Sequence, residues 1–542
     1  MQQQQAPKYI FVVGGVMSGV GKGVTTASLG TIFKAKGFDV TALKADPYVN
    51  VDAGTMSPTE HGEVFVTEDG DETDQDMGNY ERFLNENLTS TNYMTTGRVY
   101  RSVIERERSM GYDGKCVQVV PHIPEEIIRR IEKAQEKAGA EITITEIGGT
   151  VGEYENILFL EAVREMQLEN PGDVAVVLVS YLPIPEHIGE MKTKPTQHAS
   201  RQLNEAGINA DVIIGRSKIE LDQPRYEKLS VFCGVDKDHV ISAPDVDSIY
   251  QIPINFEREN LGNKLLNSLN MKGRNTDLKE WGNFVDKAKN GKEQKEIAVV
   301  GKYFETGDFT LSDSYISVIE AVEHAGAYTD IDAQLEWVDS EEYTENPDKA
   351  QELKEFDGVI VPGGFGTRGV EGIVTAIEQV RENDTPYLGL CYGMQLACIE
   401  FVRNVVGIEE ATTIELNTNT DEPVIDVNPH QEENLNHNRY GGTMRLGSCK
   451  AELKSDSKVH QAYGKREIEE RHRHRFEFNN DYRNTINENG LKVVGINKKR
   501  DLVEIVELKD HPFFVGVQFH PEFKSRPMRP HPLFLEFLRS TK

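Results

Sequence analysis

A cysteine between glycines, Gly389-Leu390-Cys391-Tyr392-Gly393, directly follows an apolar run and precedes a helical pattern through Met394, Ala397, Phe401 and Val405. This is G-x-C-x-G, the thiol form of a nucleophile elbow. The glycines permit a sharp turn that exposes the sulfur, and the start of the following helix favours the thiolate. Such a nucleophile needs a base, and His520-Pro521-Glu522 supplies an imidazole with a nearby carboxylate to orient it, after an apolar run ending at Phe519. Val361-Pro362-Gly363-Gly364-Phe365-Gly366 also follows a strand-like run, and its glycine N–H groups suit an oxyanion hole. A lone buried cysteine is usually core and a lone histidine usually structural. Three such elements at strand ends in one region outweigh that reading.

A second constellation opens the chain. The run GGVMSGVGKG at residues 14–23 lies between an apolar strand and a helix. Glycine N–H groups, the helix N-terminus and the Lys22 charge would close round phosphate oxygens. The spacing departs from the usual phosphate loop at Val16, where glycine is expected, and at Gly23, where a hydroxyl normally meets Mg2+. Carboxylates elsewhere must then hold more of the metal. Glu146, at a strand end before Gly148-Gly149, stands at the ligand edge of an open sheet. For Asp76 in ETDQD, taken alone, a solvated acid is the simpler reading. Lys192-Thr193-Lys194-Pro195-Thr196-Gln197 places two lysines on one side of an extended chain, suited to a second polyphosphate or to an exposed basic loop; charge does not decide.

The elements that must position these groups alternate in type. Strand candidates are Tyr9 to Val13, Val40 to Leu43, Glu141 to Ile147, Asp173 to Val179 and Asp211 to Ile214, with a helix from Val24 to Lys36 closed by Gly37. A polar stretch from Asn270 to Gln294 reads as a linker with room for one short helix. A second series follows at Ile297 to Val300, Phe356 to Val361, Tyr387 to Leu390 and Phe513 to Phe519. The fold class expected is α/β, two doubly wound, mostly parallel-sheet domains at 1–270 and 295–542 joined by 271–294. Asn417 to Asn438, rich in Asn, Asp, Glu and Thr, reads as a loop excursion, and Met1 to Gln5 as a frayed tail.

The 542 residues are too many for one compact core. A formal net charge of −29 argues against general nucleic-acid binding. No apolar run is long enough to span a bilayer, and no signal peptide opens the chain. The five cysteines, Cys116, Cys233, Cys391, Cys398 and Cys449, are scattered and suggest neither a disulfide framework nor a cysteine-held zinc, so a cytoplasmic location is expected.

PGGFG, GLCYG and HPE resemble a class I glutamine amidotransferase domain, in which the resemblance assigns Cys391, His520 and Glu522 as the catalytic triad. The N-terminal strings GGVMSGVGKG, KADPYVNVDAGTMSPTEHGEVFVTEDGDETDQD, TEIGGTVGEYE, KTKPTQH and DVDSIY, with GGTMRLG and ERHRHR later, resemble the CTP synthase family from about Lys8 to near the C-terminus. That resemblance implies ATP-dependent amination of UTP at C4 through a 4-phosphorylated intermediate, with ammonia from glutamine. It assigns ATP to Ser18, Gly19, Val20, Gly21, Lys22, Gly23, Val24, Lys44, Asp76, Pro244, Asp245 and Val246, and Mg2+ to Asp76 and Glu146. UTP and CTP fall to Ser18, Glu153, Tyr154, Glu155, Lys192, Thr193, Lys194, Pro195, Thr196, Gln197 and Lys228. Glutamine falls to Gly364, Tyr392, Gly393, Met394, Gln395, Glu415 and Arg475.

The resemblance further implies a homotetramer, GTP as allosteric activator, CTP as feedback inhibitor and an internal ammonia passage; filament assembly stays open. GEYE stands where the family more often has GDIE, Tyr392 where an aliphatic residue is usual, and Ala45 where a larger apolar one is. His472 and His474 in ERHRHR read as part of a charged segment, not a metal site. Two other readings compete: a phosphate-loop amidoligase acting on a corrinoid or similar carboxylate, and a non-enzymatic ATPase switch, which would need no G-x-C-x-G domain.

Overall fold

In the computed structural model, described for residues 6–57, 61–289, 293–302, 305–306, 309–310, 312–427 and 444–541, the apolar run at the start becomes the strand Lys8–Gly15, buried along its whole length. A strand buried on both faces reads as a continuous apolar run because helices cover both sides of a parallel sheet. The sheet has seven strands in the order Tyr93–Thr95, Val40–Asp46, Ile142–Ile147, Lys8–Gly15, Val174–Tyr181, Val212–Ser217 and Val240–Pro244. Every pairing in it is parallel. All its C-terminal strand ends therefore lie on one edge. The helix Lys22–Ala35 starts directly after Gly21, which takes φ 94°, a backbone that side-chain-bearing residues resist.

The second sheet has nine strands: Ile331–Asp339, Glu293–Gly301, Gly358–Val361, Tyr387–Leu390, Phe514–Val517, Leu502–Leu508, Leu491–Asn497, Arg445–Leu453 and Glu467–His474. Its first four pairings are parallel. The other four are antiparallel, so a parallel half with crossover helices is extended by a half without them. The thiol, its base and the glycine loop all follow strands of the parallel half.

The two compact units do not follow chain order. One comprises the chain up to Asp52 with Asp76–Val285, the other Ala53–Gln75 with Asp286 onward. A segment early in the sequence thus belongs to the thiol-bearing unit, which the expected boundaries at 270 and 295 do not anticipate. Phe65 from this segment packs on Phe523, with ring centroids 5.0 Å apart. The polar stretch read as a linker carries the helix Lys279–Lys289. Its Trp281 and Phe284 are buried, with Trp281 packed on Phe83 (centroids 5.2 Å) and Phe284 on Tyr250 (5.2 Å). Within the expected loop 417–438 there is a strand, Pro423–Val427, paired with Phe476–Phe478. Residues 428–438 of that loop, Met1 to Gln5 and the first residues of GGTMRLG lie outside the described residues.

Candidate active sites

The elbow forms as its glycines require. Cys391 sits between the strand Tyr387–Leu390 and the helix Tyr392–Phe401 at φ 49°, ψ −95°, a strained backbone of the kind that presents a nucleophile. A Cβ on Gly393 would stand 2.3 Å from the Val361 carbonyl oxygen, so only glycine lets the helix approach the neighbouring strand. His520 Nδ1 meets Glu522 Oε1 at 2.6 Å. Its ring stacks on Phe523, centroids 5.0 Å apart. Nε2 is buried. Burial opposes the charged ring, but the Glu522 carboxylate and then Cys391 outweigh it and hold the imidazolium up to about 10. Cys391 Sγ also lies 3.9 Å from the Arg473 carbonyl oxygen and accepts from Gln518 Nε2 at 3.7 Å. The Cys391 sulfur and the His520 imidazolium thus stand on the same strand-end edge.

A cavity of about 90 Å3 opens on this pair, lined among others by Gly363, Gly364, Phe365, Arg473 and, from the early segment, Glu63 and Val64. A Cβ on Gly363 would lie 2.7 Å from His520 Cε1, so the glycine loop runs directly against the His520 ring. Glu415 accepts from the Gly366 N–H at 2.8 Å. Burial pushes Glu415 up, while that N–H, Lys302 and Arg475 oppose. Gln395 donates to the Phe476 carbonyl (3.0 Å) and to Gln518 (3.2 Å). Met394, to which the resemblance assigns glutamine, is fully buried against Gly516.

His472 and His474 do not add to the charge of their segment. Both are buried, Nδ1 to Nε2 at 3.0 Å, and burial followed by Arg445 holds both well below the usual range. The arginines before and between them pair with the early segment, the fully buried Arg471 with Glu68 and Arg473 with Glu72, each at 3.0 Å.

At the edge of the first sheet, Lys22 is buried and donates to the Gly149 carbonyl at 2.9 Å. Burial pushes its ammonium down, and Glu146 opposes. Lys44 bonds both Asp76 and Glu146, the latter at 2.9 Å, with Asp46 at 3.4 Å. Burial and Asp76 push Glu146 up, whereas Lys44 holds Asp76 below the usual range against its burial. The departure at Gly23 has a physical reason: a Cβ there would stand 2.0 Å from Asp76 Oδ1. The carboxylate fills the room that a Ser or Thr would take. Asp76 is therefore not the solvated acid that it would be in isolation.

Pro244, Asp245 and Val246 share a cavity of about 300 Å3 with Gly19, Gly21 and Val24, closed by Ile249, Ile252 and Phe256. Arg216, unassigned from sequence, lines it and bonds Asp245 (3.0 Å) and the carbonyls of Ala243 and Pro244 (3.0 and 3.1 Å). It stands at a strand end, the signal that singled out Glu146.

The residues assigned to the pyrimidine nucleotide are less gathered. Thr196 is buried and bonds Ser180 at 2.9 Å, and Gln197 bonds Thr193 at 3.0 Å, so this helix start is fixed on the sheet. Lys192 is paired with Glu190 at 2.6 Å and Lys194 lies over the Phe232 ring at 5.7 Å. Glu153 turns back to the Thr150 N–H (2.7 Å), while Tyr154 is 91% exposed and Ser18, Glu155 and Lys228 are also exposed.

A strained thiol beside an imidazolium on one parallel sheet edge, with a phosphate loop and buried lysines on another, defines a glutamine-fed, nucleotide-using ligase. Comparison with known proteins narrows this class. Residues 8–271 match the CTP synthase N-terminus family and residues 310–540 match class-I glutamine amidotransferase. The CTP synthase of Caldanaerobacter subterraneus subsp. tengcongensis is 48% identical over 98% of both chains, and that of Methanocaldococcus jannaschii 47% over 98% of both. A solved glutaminase domain of Trypanosoma brucei CTPS with bound acivicin is 36% identical, covering 45% of this chain and 93% of its own, with a TM-score of 0.42. The chain belongs to the CTP synthase family, glutamine-hydrolysing ligases of pyrimidine biosynthesis.

Proposed function

We propose that this enzyme converts UTP, ATP, glutamine and water to CTP, ADP, phosphate and glutamate. The Cys391 thiolate attacks the glutamine side-chain amide carbon. His520, held charged by Glu522, gives its proton to the departing ammonia and then takes one from the water that releases glutamate. Glycine N–H groups of the 362–366 loop face the tetrahedral oxygen. Gly364, Glu415 and Arg475 hold the amino-acid end of glutamine; the charge of Arg475 felt at Glu415 supports that pairing.

In the other unit, ATP lies with its base by Pro244–Val246 and Arg216, and its phosphates on the loop from Ser18 to Val24. Lys22 and Lys44 neutralise charge as the terminal phosphoryl passes to O4 of the uracil ring. Ammonia then attacks C4 and phosphate leaves. Asp76 and Glu146 suit Mg2+: both reach one Lys44 ammonium, so their oxygens converge on a single point. One or two carboxylates plus substrate phosphates is the donor set that this ion commonly takes. Bound there, Mg2+ would neutralise phosphate charge.

Glu153 to Glu155, Lys192 to Gln197 and Lys228 take UTP and, as feedback inhibitor, CTP. The exposure of Tyr154 in a single chain supports a site finished by a second copy, as a tetramer would allow. Family membership supports GTP as activator. The five unbridged cysteines support a cytoplasmic location, and no described helix is long and apolar enough to cross a membrane.

The observation that carries the reading is the Cys391–His520–Glu522 geometry in one chain with a phosphate loop whose missing hydroxyl is replaced by the Asp76 carboxylate. Nucleotide chromatography after incubation with UTP, ATP, Mg2+ and glutamine tests it, beside Cys391→Ala given glutamine or ammonia. CTP is expected from the unaltered enzyme, none from the variant with glutamine, and CTP again with ammonia. No CTP from any nitrogen source, with GTP present and salt varied, would turn the search to carboxylate acceptors.

A further inference from the structure

Lys302 directly follows the strand Glu293–Gly301 and is only 5% exposed. Burying an ammonium is costly unless its protons are used. Among the described residues it makes no ion pair. Its Nζ donates instead to the carbonyls of Gly366 (2.7 Å) and Phe365 (3.4 Å), and to the Tyr392 hydroxyl (3.5 Å), while lying 4.5 Å above the Tyr392 ring. Tyr392, 2% exposed, sends its own hydroxyl to the same Gly366 carbonyl at 3.0 Å. The Gly366 N–H goes to Glu415 at 2.8 Å, and the residue takes φ 80°. Both sides of this glycine are therefore pinned in a left-handed backbone that would otherwise be free to relax.

We propose that Lys302 and Tyr392 are positioning residues that latch the 362–366 loop through the Gly366 carbonyl, fixing the loop against the Cys391–His520 pair for glutamine hydrolysis. Both side chains bond the Gly366 carbonyl, so their action on the reacting atoms runs through the loop. Tyr392 follows the nucleophile in sequence, so the latch ties the elbow to the loop that must receive the oxyanion. Preorganised donors act only if their scaffold does not have to reorder during the reaction. An aliphatic residue at 392 could fill space but could not bond that carbonyl.

This rests on the reading that the enzyme hydrolyses glutamine. The test compares the unaltered enzyme, Y392F, K302M and the double variant for glutamate release and for CTP formation from glutamine and from ammonia. Each single change is expected to lower kcat for glutamine about tenfold with KM within about threefold. The double variant should lose no more than about twofold beyond the worse single, because both donors serve one carbonyl. Ammonia-driven synthesis should stay within about twofold of the unaltered enzyme. Y392F removes one oxygen only and keeps the test readable if K302M does not fold. Unchanged glutamine turnover in Y392F, losses that multiply in the double variant, or an equal fall in ammonia-driven synthesis would overturn the latch. An unaltered enzyme that releases no glutamate would overturn the underlying reading instead.

Discussion

At the ligand edge of the first sheet, Lys22 and Lys44 are buried beside Asp46, Asp76 and Glu146, and the charges hold one another. At the corresponding edge of the second, Cys391 and His520 stand together with Glu522 behind the ring. Both sites use the same device, side chains carried past the C-terminal ends of parallel strands. They differ in completeness. The thiol site has its nucleophile, base, orienting acid and glycine loop within one unit. In the proposed phosphate site, cations and carboxylates neutralise each other, a part that phosphates and Mg2+ would take on that reading. A nucleophilic site can be finished by protein atoms alone. A phosphoryl-transfer site is mostly positioning and charge, and its opposite charges arrive with the substrate.

The largest effect expected from breaking this comparison is at Lys22. Lys22→Met should lower CTP formation at least about a hundredfold from glutamine and ammonia alike, while glutamate release stays within about threefold. A parallel fall in both activities, measured on the same preparation, would mean that the two sites are not separable in this way.

Glu522→Gln comes next. Glu522 and Cys391 hold the imidazolium up to about 10, above its ordinary 6.5. The charged ring's contribution is therefore full below the ordinary value and is lost as pH rises through about 10. With the carboxylate replaced by an amide, the folded-state value falls. The alkaline limb of glutamine hydrolysis should move to lower pH, with a loss of about tenfold or more at neutral pH, while ammonia-driven synthesis keeps its profile. An unmoved limb in a full pH series would remove His520 as the titrating group.

Gly23→Ala sharpens the other side. Its Cβ would stand 2.0 Å from Asp76 Oδ1, so the carboxylate must move. Amination should fall about tenfold with a raised KM for ATP, and glutamate release should not change. Kinetics identical to the unaltered enzyme would show that Asp76 has no fixed place there. The smallest effect is expected at Lys450→Ala. The Lys450–Glu467 pair is 64% exposed on both sides, and solvent and salt screen such pairs. The thermal midpoint should move by no more than about 1 °C. A larger shift would mean that the outer antiparallel strands depend on surface charge.

Much of the fold was legible in the sequence. Continuous apolar runs become the buried strands of the two parallel regions, and a run of one kind forces helices onto both faces. The antiparallel extension was not legible as such: Arg445–Leu453 and Glu467–His474 carry too many charged residues to read as strands. They are strands because Arg471 and Arg473 find carboxylates and His472 and His474 turn inward, facts that only distant segments supply. The stretch from Asn270 to Gln294 had room for one short helix, and Lys279–Lys289 is that helix; what the sequence did not show is that it buries two aromatics against Tyr250 and Phe83.

By itself, the sequence determined the sharp turn at Cys391 and the glycine loop before Lys22, because glycines at fixed spacing dictate a local backbone wherever the chain folds. Only the tertiary structure decided that Ala53–Gln75 joins the thiol-bearing unit, that Asp76 fills the space beside Gly23, and that Lys302 and Tyr392 meet on one carbonyl. Those are contacts between residues far apart in the chain, fixed by packing and charge neutralisation rather than by any local preference.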